Sequence, residues 1–277
     1  MKQDRRELCL LHANCQGEPL SLLLNESQEF AARWRIQQYT NYTHEAIPES
    51  APREASLFLY QYLGPGWSEL SSDVLLGKLG PQAVPVCIPN LFFKGYWPAW
   101  TSDSPMDFGD VLLDRLYLSG AGKEAILRVY LRGKLEKLVD IGEAADESLR
   151  QEARKEERCD VKTQSFVAER WKTERLFQTV NHPDAPLLIH VAQGILSFLG
   201  LPPLSAAACG AFSYDYEGFS LPIHPQVGDF HSLPFAREET AYPVFGKNMT
   251  FAQYCERYID CRLRNMEDCF LGYLQTP

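Results

Sequence analysis

The chain has 277 residues, 45% of them hydrophobic and 23% charged, which is ordinary globular usage and excludes wholesale disorder. Its 27 Lys and Arg against 36 Asp and Glu leave a net charge of −9, and no strong basic tract is present. That balance argues against nucleic-acid partners, whose binding is driven by phosphate neutralisation, but leaves room for a small anion in a local basic pocket.

The first hundred residues alternate short apolar runs with helical patterns. Leu8 to Ala13 reads as a buried strand and Glu18 to Asn25 as the start of a helix. Ser56 to Tyr62 is a second strand, and Ser72 to Leu79 a helical piece closed by Gly80 and Pro81. Ala83 to Ile88 is a third strand, stopped by Pro89. Strand and helix in alternation predict parallel pairing in an α/β sheet. From Lys123 to Gln178 the only breakers are Gly133 and Gly142, and Glu143 to Arg158 is dominated by charged residues, as expected of a solvated helix face with i,i+4 ion pairs. Leu187 to Leu199 is an apolar helix ended by Gly200 and the Pro202–Pro203 pair. Ser205 to Tyr242, rich in Gly, Pro and aromatics, reads as irregular loop. Thr250 to Leu274 reads as a final helix, with Thr250 and Gln253 spaced for a capping box. The expected organisation is an α/β core over 1–120 and a mainly helical part over 121–277.

No stretch reaches the roughly 18 to 20 apolar residues of a spanning helix. The best, Leu187 to Leu201, is broken by His190, Gln193 and Gly194, and Leu8 to Leu11 is too short for a signal-peptide core. The expectation is a soluble, cytosolic protein with no integral membrane segment. Eight cysteines are too sparse for a disulfide scaffold, and without CxxC, HxxxH or HExxH spacing no metal site is expected.

Four clusters could carry chemistry. Asn14-Cys15-Gln16-Gly17 follows the first strand and precedes a helix, so it falls at the carboxyl edge of the sheet, where ligands bind. A cysteine beside a helix N-terminus gains thiolate character, and the backbone N–H groups there can receive an oxyanion or a phosphate. Gln61 and Asn90 end the other two strands at the same edge, and the Phe92–Trp97 run after Asn90 could wall a pocket or form a core ridge. His182, before Pro183 at a helix start, could be a positioned general base. Arg128 and Arg132 share a helix face beside Lys123, Lys134 and Lys137, as either an anion patch or a solvated face. His190 reads as a core histidine, while His224 and His231 bracket a loop and could line a site.

The runs Asn14-Cys15-Gln16, Tyr60-Gln61, Ile88-Pro89-Asn90-Leu91-Phe92-Phe93-Lys94-Gly95-Tyr96 and Thr179-Val180-Asn181-His182-Pro183, in this order and spacing, resemble the WcbI-type polysaccharide biosynthesis proteins over residues 7 to 200. His12-Ala13 departs from the glycine more usual in that family before Asn-Cys-Gln. The resemblance implies an acetyltransferase role in capsular or surface polysaccharide assembly, with coenzyme A or acetyl-CoA as cofactor and a sugar or glycan precursor as acceptor. It also implies a flavodoxin-like sheet of the kind found in SGNH-type hydrolases, with the nucleophile after the first strand and a late histidine. Carried over by position, Cys15 is the nucleophile or faces the coenzyme thiol, Gln61 and Asn90 are polar stabilisers, and His182 is the base. Asn14, Gln16, Gly17, Lys94, Tyr96, Arg128 and Arg132 are the expected cofactor contacts. Two rival readings stand beside this one: an esterase or deacetylase, with water as acceptor, and a non-catalytic binding protein in which Cys15 and His182 stay apart.

Overall fold

A computed structural model describes residues 4–276. The chain divides into two compact units, each drawn from three stretches: residues 1–91, 151–168 and 182–214 in the first, and 92–150, 169–181 and 215–277 in the second.

The first unit is built on a parallel sheet of four strands: β1 (Glu7–Ala13), β2 (Trp34–Thr40), β3 (Ala55–Gln61) and β4 (Val84–Ile88), in the order β2-β1-β3-β4. β1 is a near-continuous apolar run buried along six of its seven residues, as a strand covered on both faces must be. Leu10 pairs in register with Gln37 on one side and Phe58 on the other. One face packs Leu8, Leu10 and Phe58 against Ala51 of helix α2 (Ser50–Glu54) and Leu75 of helix α3 (Ser72–Gly77). Helix α1 (Gly17–Asn25) packs against the long apolar helix Ala185–Phe198, which also touches β4. That helix starts where Asp184 caps it, its carboxylate accepting from the Ala185 N–H at 2.8 Å.

The sheet has one strand more than the three the sequence predicts. β2, Trp-Arg-Ile-Gln-Gln-Tyr-Thr, is an edge strand whose middle residues are only half buried. An edge tolerates Arg35, Gln37 and Gln38, and those residues erase the apolar signature of the strand. The strand order places the reversal of winding between β1 and β3. In open α/β sheets that switch point opens a crevice at the carboxyl ends of the strands.

The second unit is mainly helical, with helices Val111–Leu118, Lys123–Arg132, Pro225–His231 and Phe251–Leu263. An antiparallel hairpin, Ala241–Val244 with Lys247–Thr250, turns through Phe245 and Gly246, both at positive φ. Its aromatic core stacks Phe93 on Phe177 and sets it edge-on to Tyr96. The charged helix runs over Ile141–Glu156, with the boundary between the units falling inside it. Ile141, Ala145, Ser148 and Glu152 form a buried stripe on it, so this is not the wholly solvated face expected.

Other sequence expectations also need correction. The stretch read as loop contains the helices Ala206–Ala211 and Pro225–His231, each capped by its own side chain, Ser205 and His224. The final helix is interrupted: Phe251–Leu263 ends at Asn265, whose φ of 54° is a left-handed C-terminal stop, and a separate helix covers Phe270–Gln275. The capping box at Thr250 and Gln253 is formed. His190 is half-exposed rather than core, stacked on Phe166 and bonded to the Lys162 carbonyl.

Candidate active site

The turn after β1 is held by side-chain amides. The Asn14 N–H donates to Gln61 Oε1 at 2.8 Å, and Asn14 Oδ1 accepts from the Gln16 N–H at 2.9 Å. Gln61 Nε2 donates to Gln16 Oε1 at 3.0 Å and to the Pro89 carbonyl at 3.2 Å. Gln16 spans to the loop after β4 in both directions, donating to the Leu91 carbonyl at 2.8 Å and accepting from the Leu91 N–H at 3.1 Å. The carboxyl ends of β1, β3 and β4 are thereby tied into one network. Parallel strand ends leave backbone groups without ladder partners, and these amides satisfy them.

Gln61 is fully buried and both its amide atoms are engaged, so it braces the turn rather than facing a ligand. Gln16 does the same from the helix side, with 2% of its surface exposed. Gly17 lies at the start of α1 with its N–H on the Asn14 carbonyl at 2.9 Å. A Cβ there would sit 3.1 Å from Ala13 and Gln38 side-chain atoms, so the tight turn favours glycine. Asn90 is half-exposed: its Oδ1 accepts from Asn14 Nδ2 at 3.2 Å, which leaves its own Nδ2 free to donate.

Cys15 stands at the centre of this frame. Its Sγ lies 3.1 Å from His182 Nε2. The arrangement in which these two residues stay apart is therefore not the one adopted. Burial pushes the Cys15 thiol up to about 11, and the nearby N–H groups of Cys15 and Gln16 oppose that only in part. The thiolate character expected from the helix terminus is thus outweighed by desolvation. Burial also pushes His182 down to about 4. Both shifts favour a neutral pair, in which the thiol donates to an unprotonated Nε2.

One member of the site was not singled out from the sequence. Lys155 Nζ donates to the Asn90 carbonyl at 2.6 Å and pairs with the buried carboxylate of Glu152. Its place in a charge-rich run hid it.

The remaining expected contacts belong to the second unit. Tyr96 is fully buried, and its hydroxyl donates to the Trp171 carbonyl at 2.6 Å, so its polar atom is committed to the fold. Lys94 is half-buried, its ammonium 5.9 Å from the centre of the Trp100 ring, and desolvation lowers its pKa. Arg128 is exposed, and Arg132 pairs with Glu238 at 3.2 Å. His224 lines an aromatic cavity of about 40 Å³ with Trp97, Trp100, Tyr130 and Tyr254, bonded at both ring nitrogens to its own unit's backbone. His231 is buried edge-on to Trp171. Among the described residues no cluster of metal-ligating side chains occurs, and no helix is long and apolar enough to cross a membrane.

Comparison with known proteins gives two matches. The chain superposes on the solved structure of WcbI, a polysaccharide biosynthesis enzyme, with a TM-score of 0.76 and 19% identity over 98% of this chain and 95% of that one. That structure is the native protein without a disulfide bond between coenzyme A and one of its cysteines. No curated protein matches the chain. The family model of the polysaccharide biosynthesis enzyme WcbI matches residues 8–204, a span that holds the amide-braced turn, Asn90 and His182, and the chain belongs to that family.

Proposed function

We propose that the protein is a coenzyme A-dependent acyltransferase that moves an acyl group, acetyl in the simplest case, to a hydroxyl of a sugar in a polysaccharide precursor. The observation that carries this reading is the 3.1 Å contact between Cys15 Sγ and His182 Nε2 beside the braced turn. The WcbI structure supports it through its named relation to coenzyme A and a cysteine. The donor set suits a thioester: a half-exposed thiol, the Cys15 N–H beside it, and the free Nδ2 of Asn90.

Bound as its acyl thioester, coenzyme A supplies an activated carbonyl. The chain's own residues do the rest. His182, unprotonated above about pH 4, takes the proton of the attacking hydroxyl at Nε2, the Cys15 thiol that rests against that nitrogen turning aside to let the hydroxyl in. The Cys15 N–H and Asn90 Nδ2 hold the charge that develops on the carbonyl oxygen, each contributing about 3 kcal/mol if placed as in other oxyanion sites. Gln61 and Gln16 keep those donors from turning away. Cys15 stays a thiol and holds His182 in place at rest, before the hydroxyl arrives. Passing the acyl group through Cys15 would gain little, because the new thioester would be no more reactive than the old one.

Incubation with acetyl-CoA and a set of nucleotide-sugar acceptors, read by release of free thiol and by mass of the sugar, tests the reading. The expected result is an acetylated sugar and acceptor-dependent release. Release at the same rate without any sugar would replace it with a hydrolase. No binding of coenzyme A at millimolar concentration, read as an unmoved Tm, would remove it altogether.

A further inference from the structure

Away from Cys15, two more thiols meet. Cys87 Sγ lies 3.9 Å from Cys159 Sγ, and no other sulfur–sulfur contact occurs among the described residues. Both are buried, at 2% and 7% exposure. Their setting is a strap along the outer edge of β4, the edge strand. The Asp160 N–H donates to the Cys87 carbonyl at 2.8 Å, and the Cys87 N–H donates to Asp160 Oδ2 at 2.7 Å. The strap thus supplies a stand-in for the missing neighbouring strand and covers an edge that would otherwise be open. The same strap carries Lys155, whose ammonium holds the Asn90 carbonyl, and Cys159 Sγ reaches the Lys155 carbonyl at 3.5 Å.

We propose that Cys87 and Cys159 are a modification site: a dithiol that a peroxide converts, reversibly, into an intramolecular disulfide bolting the strap to the sheet. The two backbones are already held together by a reciprocal pair of hydrogen bonds, so closure needs only side-chain rotation to bring the sulfurs from contact to bonding distance. The contact with Cys159 lowers the Cys87 thiol below its ordinary value and raises that of Cys159, so Cys87 is the sulfur that reacts first. Cys87 sulfur attacks the peroxide, the O–O bond breaks, and Cys87 becomes a sulfenic acid as one water leaves. Cys159 sulfur then displaces the hydroxyl, which leaves as a second water with the Cys159 proton. Two thiols have lost two electrons and two protons to one peroxide. Such burial admits a small oxidant and excludes a bulky disulfide. The site is separate from the acyl-transfer reading and does not rest on it.

The test uses the folded wild-type chain and hydrogen peroxide as probe. After exposure, remaining thiols are alkylated under denaturing conditions and the peptides mapped without reduction. The expected result is a Cys87–Cys159 cross-linked peptide, loss of two hydrogens from the intact mass, and reversal by dithiothreitol. The bond closes a span of 72 residues, so Tm should rise by roughly 5–10 °C in the oxidised form. Cys87→Ser and Cys159→Ala should each abolish the cross-link and the Tm rise. Finding both thiols free to alkylate while the exposed Cys269 is oxidised would overturn the proposal, as would a cross-link joining other cysteines. The wild-type peptide map is decisive by itself, so a variant that failed to fold would not change the outcome.

Discussion

Cys15 Sγ and His182 Nε2 stand 3.1 Å apart, and burial drives their two pKa values in opposite directions, the thiol up to about 11 and the imidazole down to about 4. Proton transfer between them would create two charges in a place that desolvates both. The pair therefore rests as thiol and imidazole, unlike the thiolate–imidazolium pair of a thiol hydrolase.

Alkylation kinetics read this directly. Iodoacetamide labelling of Cys15 should rise roughly tenfold per pH unit above pH 8, with no plateau before about 11, because only the thiolate reacts. Labelling is followed by peptide mass, with the exposed Cys269 as internal reference. A rate that is high and flat between pH 5 and 8 would show an ion pair and sink the neutral description.

The proton acceptor of the proposed transfer should be His182. His182→Ala should lower kcat by ~10²- to 10⁴-fold, whereas Cys15→Ala should lower it modestly if the thiol only orients the imidazole. In the wild type the acid limb should fall as pH drops through about 4, where Nε2 takes a proton, and the rate should be level from about 5 upward on this group's account. An acid limb near 6.5, the ordinary value for histidine, would show that burial does not act as described.

The elements that proved legible from sequence were those with long apolar runs. β1, β3, β4 and the Ala185–Phe198 helix announce themselves because parallel-sheet cores need unbroken apolar runs. Asn14, Cys15, Gln61 and Asn90 could be placed at one edge because each follows or ends such a run, whereas His182 stands before one, at the start of the Ala185–Phe198 helix. β2 was not legible, since an edge strand carries a weaker pattern. Lys155 was hidden for a related reason: a charged residue in a charged helix looks the same whether it faces water or a backbone carbonyl. The sequence also could not rank burial against the helix terminus at Cys15, because desolvation there depends on segments far along the chain, His182 among them.

Gln61 should behave as a structural brace. Gln61→Leu keeps the approximate volume but strips the Asn14 N–H and the Pro89 carbonyl of their side-chain partner and takes from Gln16 Oε1 one of its two donors, the Leu91 N–H remaining. At about 1–3 kcal/mol for each buried group left unsatisfied, the loss should reach at least about 2 kcal/mol. Urea unfolding measures it, with Asn90→Ala, whose side chain is half-exposed and makes one bond, as the milder comparison. A loss under about 1 kcal/mol for Gln61→Leu would show that water replaces the amide freely, and the network would then not be what holds the turn.

Acid should unfold this protein through its histidines. His12, His182 and His224 are each driven down to about 4 by burial, so each is held neutral in the folded state. In the unfolded chain they titrate near 6.5. Between these values the unfolded state binds the extra proton, so the stability they contribute is full above about 6.5 and is lost as pH falls toward 4, at about 1.4 kcal/mol per pH unit for each histidine. Asp110 works the other way. Burial raises its folded pKa to about 6 from an unfolded value near 3.8, so its contribution is full below the lower value and is lost as pH rises through 6. It offsets one histidine across the shared window. Urea unfolding from pH 7.5 to 5 should therefore show stability falling with acid, at about twice the slope of a single group once below pH 6. His12 gives the sharpest check, since it is 1% exposed and neither ring nitrogen has a hydrogen-bond partner. His12→Phe removes a titrating group without uncovering a bond, and should flatten the acid slope by about 1.4 kcal/mol per pH unit. An unchanged slope would mean that His12 takes up its proton inside the folded protein, with Glu45, whose charge favours that form, as its counter-ion.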